Sequence, residues 1–340
     1  MSGEDYFQHV LNVAYILSGM RIDSETIAAA LLDDVLEDTK TTKEQLKREF
    51  GTAVTTIVEG VTKKIALRTT PEDRAENIRK VLLATIKDIR VILVKLADRM
   101  HNMRTLKYLG QEQQREIAQE TLEVYVPIAY KLGMYRIKSE LEDLCLRFLE
   151  PGIYQELKGR IAKKKEEREK EVKRVVASVK RLLDENSIPV AVLGRAKNFY
   201  GIYKKMLSKK IPFEEVRDLS AIRVITTTAD NCYKALNAIH SKWTPILNRF
   251  DDYITNPKPN MYQSLHTEIL FENKPVEVQI RTLEMHHIAE EGIAAHWRYK
   301  DTERDKQFDR KIAWLKQILE WRSSESAKDL VESMKIDMFK

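Results

Sequence analysis

AALLDDVLEDT, residues 29–39, sets Asp33, Asp34, Glu37 and Asp38 within about two turns of an otherwise apolar, helix-spaced pattern. Four acids on so short a run are costly in a core unless something positive joins them. The same helical spacing extends on both sides, through VLNVAYIL (10–17), TIAAALL (26–32), IRKVLLATI (78–86) and VILVKLADRM (91–100), with Gly or Pro only at breaks such as Gly51, Gly60, Pro71 and Gly110. The first 150 residues are therefore expected to form an all-helical domain.

The rhythm then changes twice. Residues 157–186, LKGRIAKKKEEREKEVKRVVASVKRLLDEN, alternate bases and acids around a thin apolar stripe, the pattern of an exposed helix joining two modules. Beyond Ile188, short β-like runs appear, PVAVLG, AIRVITTT, TEILFE and PVEVQI, separated by helical segments. The tail from Asp301, with AWLKQILEW, returns to an amphipathic helical pattern. The expected organisation is multidomain, α followed by α+β: a helical domain over 1–150, a helical connector over 151–186, and a mixed-sheet domain with C-terminal helices over 187–340.

At 340 residues, 43% apolar and 32% charged, the chain is large enough for each domain to bury its own core. It has no run of about 18 apolar residues and no charged leader before an apolar stretch, so a cytoplasmic location is expected. Cys145 and Cys232 lie far apart without CxxC or Cys/His spacing, which argues against a disulfide framework or zinc. The net charge of +6 suits an anionic partner, yet 52 acids against 58 bases do not choose among nucleotide, RNA and plain solvated surface.

Separated helical segments supply His9, the Asp33–Asp34 pair, and LADRMHNMRT with Asp98, His101 and Asn102. A bundle can bring such groups together, and a mixed His and carboxylate set suits Mn²⁺ or a similar ion. Each signal alone has an ordinary reading, since single histidines are common structural residues and clustered acids often line a wet helix face. In the second half, GRAKNFYGIYKKM (194–206) gathers Arg195, Lys197, Lys204 and Lys205 with Tyr200 and Tyr203, a surface for phosphate and purine or a plain basic helix start. Asp218 precedes an apolar strand, as a Mg²⁺ anchor or a turn cap. PVEVQIRT sets Glu277, Gln279 and Arg281 on one strand face by period two.

AALLDDVLEDT, FGTAVTTIVEGVTK (50–63) and VKLADRMHNMRTL (94–106) together resemble the HD-type hydrolase domain of the RelA/SpoT family, the alarmone synthetase/hydrolases of the bacterial stringent response. The resemblance implies a Mn²⁺-assisted removal of the 3′ pyrophosphate from (p)ppGpp. His9, Asp34 and Asp98 match metal ligands, Glu37 and Asp38 the pair that positions the attacking water, and Asn102 and Arg104 nucleotide contacts. Position 33 departs: the family reads AALLHDVVEDT, and Asp33 stands where it has a metal-binding histidine. Three readings stay open, namely a working site with altered metal preference, a slow site, and a site without metal. The surrounding residues favour impaired over dismantled hydrolysis. The resemblance begins just ahead of His9, so the family's preceding helix, which helps to hold the guanine base, is expected to be missing.

NPKPNMYQSLHTEI (256–269) and EMHHIAEEGIAAHWRYK (284–300), with the basic and strand motifs above, are similar to the same family's synthetase domain along roughly 180–300. That resemblance implies a nucleotidyltransferase-like sheet and transfer of diphosphate from ATP to the 3′-hydroxyl of GDP or GTP, giving AMP and (p)ppGpp. It assigns Mg²⁺ to Asp218 and Glu277, with Glu277 also the base. ATP falls to Arg195, Lys197 and Lys205, the acceptor to Lys258, Asn260, Tyr262 and His266. Arg249, Asp251 and Asp252 form RFDD, a hybrid of the RxKD and ExDD signatures that tune acceptor choice. Ribosome and tRNA contacts are expected from a regulatory half that lies outside this chain. Two rival readings are a predominant hydrolase whose synthetase half is a nucleotide sensor, and a non-catalytic RNA- or ribosome-binding module.

Overall fold

A computed structural model describes residues 6–62, 71–163, 165–216 and 221–297. The chain divides into two compact units, Met1–Cys145 with the residues from Ile293, and Leu146–Gly292. The expected division into 1–150, a connector and 187–340 thus meets a boundary inside one helix, Tyr135–Leu149.

The first unit is helical among its described residues: α1 (Tyr6–Gly19), α2 (Ser24–Leu31), the single turn α3 (Val35–Asp38), α4 (Lys43–Val61), α5 (Pro71–Lys87), α6 (Arg90–Thr105), α7 (Gln111–Glu120), α8 (Val126–Lys131) and α9 (Tyr135–Leu149). The helices begin where polar side chains satisfy otherwise unpaired amides. Asp23 accepts from Thr26 N at 3.0 Å to start α2, and Thr42 and Gln45 form a reciprocal capping box that starts α4. The centre is α6, which buries Val91, Ile92, Leu93, Val94, Leu96, Ala97, Met100 and Met103. Gly51, at φ 83°, kinks α4 as a break should. Gly60 differs from expectation. It lies within α4, and a Cβ there would stand 2.5 Å from Val91 Cγ2, so this glycine is a close approach of α4 to α6 rather than a terminator. The opening acids also depart from the helical pattern, because Leu32–Asp34 form a turn between α2 and α3.

The second unit holds α10 (Pro151–Lys163), α11 (Lys165–Glu185), β1 (Val190–Arg195), α12 (Phe199–Lys209), β2 (Ala221–Thr226), α13 (Ala229–Lys242), β3 (Asp251–Asp252), β4 (Leu265–Phe271), β5 (Lys274–Thr282) and α14 (Leu283–Glu291). The strands lie in the order β1-β2-β5-β4-β3, antiparallel except for the parallel β2–β5 pair. Alternation gives the sheet two chemistries. One face carries Ile222, Val224, Leu265, Ile269, Val276, Val278 and Ile280, all buried beneath α11 and α13. The other carries Arg195, Arg223, His266, Glu268, Glu277, Gln279 and Arg281, placed side by side by the register. The lysine-rich α11 is therefore no exposed strut: Val175, Val179 and Leu183, four residues apart, are fully buried in the sheet's core. Among the described residues no helix is long and apolar enough to cross a membrane.

Candidate functional sites

In the first unit, α1 and α6 bring His9, Asp98 and His101 together, and the α2–α3 turn contributes Asp33. His9 Nε2 lies 3.3 Å from Asp98 Oδ1, and its Nδ1 is 2.8 Å from His101 Nδ1. Asp98 also accepts from Asn102 Nδ2 at 2.7 Å and pairs with Lys95 Nζ at 2.7 Å. Burial alone would raise the Asp98 pKa, but the Lys95 charge and the hydrogen bonds from His9 and Lys95 hold it far below the usual carboxylate range. Lys95, also buried, is held above its ordinary value by Asp98 despite desolvation. Asp33 fares otherwise. It is 4% exposed, its Oδ1 has no hydrogen-bond partner, and burial with the nearby Asp98 charge pushes its pKa up to about 6 against Lys95 and His9.

The expected Mn²⁺ set of His9, Asp33, Asp34 and Asp98 does not fit an ion in this arrangement. Among the described residues no group of three or more His, Cys, Asp or Glu side chains is placed to hold one. The reason is visible at Asp98, whose two oxygens already serve Lys95, Asn102 and His9, so that a side-chain cation supplies the charge. Asp34 is half-buried at the start of α3, its carbonyl accepting from Glu37 N and Asp38 N, and the Glu37 and Asp38 side chains are exposed. Arg104 pairs with Glu140 at 2.6 Å on the surface. Beside Asp98 lies a cavity of about 570 Å³ walled by Lys80, Lys95, Arg99, Asn102, Thr105 and Tyr125, among others. Of the expected hydrolase residues, Asp98 and Asn102 line it. Lys95 and Arg99 were missed, although each is a charge within the otherwise apolar pattern of 91–100.

In the second unit the polar sheet face gathers most of the expected synthetase residues. Arg195 and Glu277 sit in one row across β1, β2 and β5, with Arg195 Nη1 3.5 Å from Glu277 Oε1. The same oxygen accepts from Gln279 Nε2 at 2.7 Å. Lys197 lies on the turn into α12 and Lys205 within it, both half-buried. Asp218 lies outside the described residues.

Tyr262 is only 7% exposed, and its hydroxyl meets His266 Nε2 at 2.7 Å. Lys258 Nζ stands 4.3 Å over the Tyr253 ring and 5.7 Å over Tyr262, and the Arg281 guanidinium is 5.8 Å from Tyr262. Asn260 closes this loop by accepting from Tyr262 N at 3.2 Å. Met261 takes φ 64°, a left-handed conformation unusual for a bulky residue, to make the turn. Arg281 is 1% exposed, with His286 at 2.9 Å and Glu290 at 3.1 Å, and Glu290 also holds Arg223 at 2.9 Å. Tyr253, Arg223, Glu268 and Glu290 were missed by sequence reasoning. A period-two reading of AIRVIT would have placed Arg223.

In the RFDD segment, Asp251 pairs with His266 in the β3–β4 register, whereas alternation turns Asp252 to the other side. Asp252 accepts from Ile254 N, Thr255 N, Thr255 Oγ1 and Tyr233 Oη at 2.9–3.0 Å. It therefore shapes the following turn.

Burial and the charges of Lys258 and Arg195 push the His266 pKa down to about 3, and burial with Arg281 pushes His286 down to about 4. A histidine depressed in the fold releases its proton on folding, so its contribution is complete above about 6.5 and is lost as the pH falls from there towards 4. For His266 alone the loss by pH 5 is about 2 kcal/mol. Thermal melts of the second unit's transition should thus fall between pH 7 and pH 5, and His266→Gln should flatten that slope. An equal slope in the variant assigns the acid sensitivity elsewhere.

Residues 1–135 match the HD domain family, and residues 194–304 match the region found in RelA and SpoT proteins. The chain is 47% identical over 346 residues to a GTP pyrophosphokinase of Myxococcus xanthus, covering 99% of this chain and 46% of that protein. It is 46% identical over 348 residues to a probable guanosine-3′,5′-bis(diphosphate) 3′-pyrophosphohydrolase of Synechocystis sp., with 99% and 46% covered. It is 44% identical over 345 residues to the bifunctional (p)ppGpp synthase/hydrolase SpoT of Escherichia coli, with 99% and 49% covered. The chain spans less than half the length of these relatives. With a helical HD unit followed by a RelA/SpoT sheet unit, and with similarity running over nearly its whole length, the chain belongs to the RelA/SpoT family.

Proposed function

We propose that the second unit is a (p)ppGpp synthetase, transferring diphosphate from ATP to the 3′-hydroxyl of GDP or GTP. The observation that carries this reading is the convergence of Arg195, Glu277, Lys258, Tyr262 and His266 on and beside one polar sheet face. The names of the relatives support it. In the reaction a bond forms from the acceptor 3′-oxygen to the β-phosphorus of ATP. The bond from that phosphorus to the oxygen on the α-phosphate breaks, and AMP departs.

Glu277 takes the 3′-hydroxyl proton. Its Oε1 is already oriented by Gln279, which aims the carboxylate. Arg195 neutralises phosphate charge next to that base, and Lys197 and Lys205 extend the positive surface along α12. On the acceptor side the Tyr253, Tyr262 and His266 rings form an aromatic floor, and Lys258 and Asn260 meet the nucleotide's polar groups. His266 is neutral near pH 7 and hydrogen-bonds without adding charge. Family members depend on divalent metal ions. Carboxylate oxygens suit Mg²⁺, which Glu277 and Asp218 would hold here and which would offset the charge of the transferring phosphates. The reading requires AMP release from ATP to depend on a guanosine acceptor; AMP formed at the same rate without GDP or GTP excludes it.

The cavity beside Asp98 favours a second role for the first unit. Lys80, Lys95, Arg99 and Asn102 line it beside Asp98, Glu116 and Glu120, and (p)ppGpp is the ligand we assign to it from the family resemblance. Hydrolysis there is slow in this reading, because Asp33 replaces a metal-binding histidine. Mn²⁺ is the ion that the resemblance implies for a competent site.

A further inference from the structure

Glu268, in NPKPNMYQSLHTEI, has been given no role above, yet it lies between two residues that have one. On β4 it is the direct cross-strand partner of Glu277, so the two carboxylates share the polar face. Directly opposed residues stand about 4.5–5.5 Å apart at Cβ, and like charges there repel. On its other side, Glu268 Oε2 meets Arg249 Nε at 3.6 Å. The backbone explains this reach. Thr244–Ile246 run along the edge of β4, with Ile246 N donating to Glu268 O at 2.8 Å and Leu270 N to Thr244 O at 3.0 Å. The chain leaves the edge at Leu247–Phe250, where Asn248 takes φ 63°, and returns as β3. Arg249 sits in that excursion, half exposed, and its guanidinium comes back onto Glu268, which is 19% exposed.

We infer that Glu268 sets acceptor choice by charge, favouring a nucleoside diphosphate over a triphosphate. The inference rests on the acceptor site proposed above. Around that site Arg249 and Lys258 are positive, while Asp251, opposite His266, and Glu268 are negative. The Asp252 charge is spent on its own turn. Arg195 and Arg281 add positive charge on the same face, where Glu277 is the other carboxylate; removing Glu268 shifts this balance by one unit and frees Arg249 for an additional phosphate. GTP differs from GDP by one phosphate, so Glu268 penalises GTP selectively.

The test is equilibrium binding of GDP and of GTP to the whole chain by calorimetry, with a non-hydrolysable ATP analogue titrated separately. Wild type should bind GDP more tightly. Glu268→Gln, nearly isosteric, should lower the GTP-to-GDP ratio of dissociation constants about fivefold, the size of one partly screened charge interaction, with the ATP analogue unaffected. Arg249→Gln should move the ratio the opposite way, and the double variant should return close to wild type. An unchanged ratio in Glu268→Gln, or an equal loss for all three nucleotides, overturns the inference. Because binding is read without turnover, failure of the synthetase reading registers separately, as absent AMP release.

Discussion

Glu277→Gln should abolish synthesis, lowering AMP release at least about 10³-fold, the range lost when a positioned base is removed. The amide preserves the size of the side chain and can still meet Gln279, so melting should hardly move. Its partner Arg195 is 3.5 Å away and 29% exposed, too loosely engaged for the pair to carry much of the fold's stability. The distinction between chemistry and binding is legible in the kinetics. KM for ATP and for GDP should stay within a few-fold of wild type while kcat falls. Retention of near wild-type AMP release removes Glu277 from the role of base and leaves it as a strand residue balancing Arg195.

Asp33→His should raise the slow (p)ppGpp hydrolysis proposed for the first unit. In the native chain Asp33 is a buried carboxyl with an oxygen lacking any partner, pushed towards protonation by burial and by Asp98. A carboxylate reaches an ion differently from an imidazole nitrogen, and a further anionic ligand lowers the ion's Lewis acidity. An imidazole at the same turn brings a neutral nitrogen donor next to His9 and Asp98 and removes one potential negative charge. The expected results are Mn²⁺ binding by calorimetry in the variant but hardly in wild type, and at least a tenfold rise in GDP and pyrophosphate released from ppGpp. Wild-type hydrolysis equal to that of the variant makes Asp33 a working ligand. Mn²⁺ binding by neither protein shifts the cause away from position 33 to Lys95, which holds Asp98.

Much of the architecture could be read from local pattern. The period-two runs at 189–194, 221–228 and 275–280 became β1, β2 and β5, and the helical spacing of 91–100 became the buried α6. The run PVEVQIRT also told which strand face would carry Glu277, Gln279 and Arg281, because alternation is a property of the backbone, whereas Arg195 was expected at a helix start and lies at the end of β1. What escaped depends on partners distant in sequence. The apolar stripe of α11 looks thin beside its lysines, and only the sheet beneath it reveals Val175, Val179 and Leu183 as core. Gly60 reads as a breaker until Val91 is seen against it. Glu268 is an ordinary polar position of a half-buried strand until the register sets it against Glu277. The Asp98 site escaped for a different reason: carboxylates and histidines near one another suggest a metal, but the lysine three residues earlier in the same helix reaches Asp98 at 2.7 Å. Such i, i+3 competition is local and could have been weighed from the sequence itself.

Diphosphate transfer is tested most directly by incubating the chain with γ-labelled ATP, GDP and Mg²⁺ and separating the nucleotides. Label should appear in ppGpp, on the 3′ position, with an equal amount of AMP. Labelled inorganic phosphate with ADP, or label confined to ATP, would contradict a synthetase built on Arg195, Glu277 and the Tyr262–His266 floor.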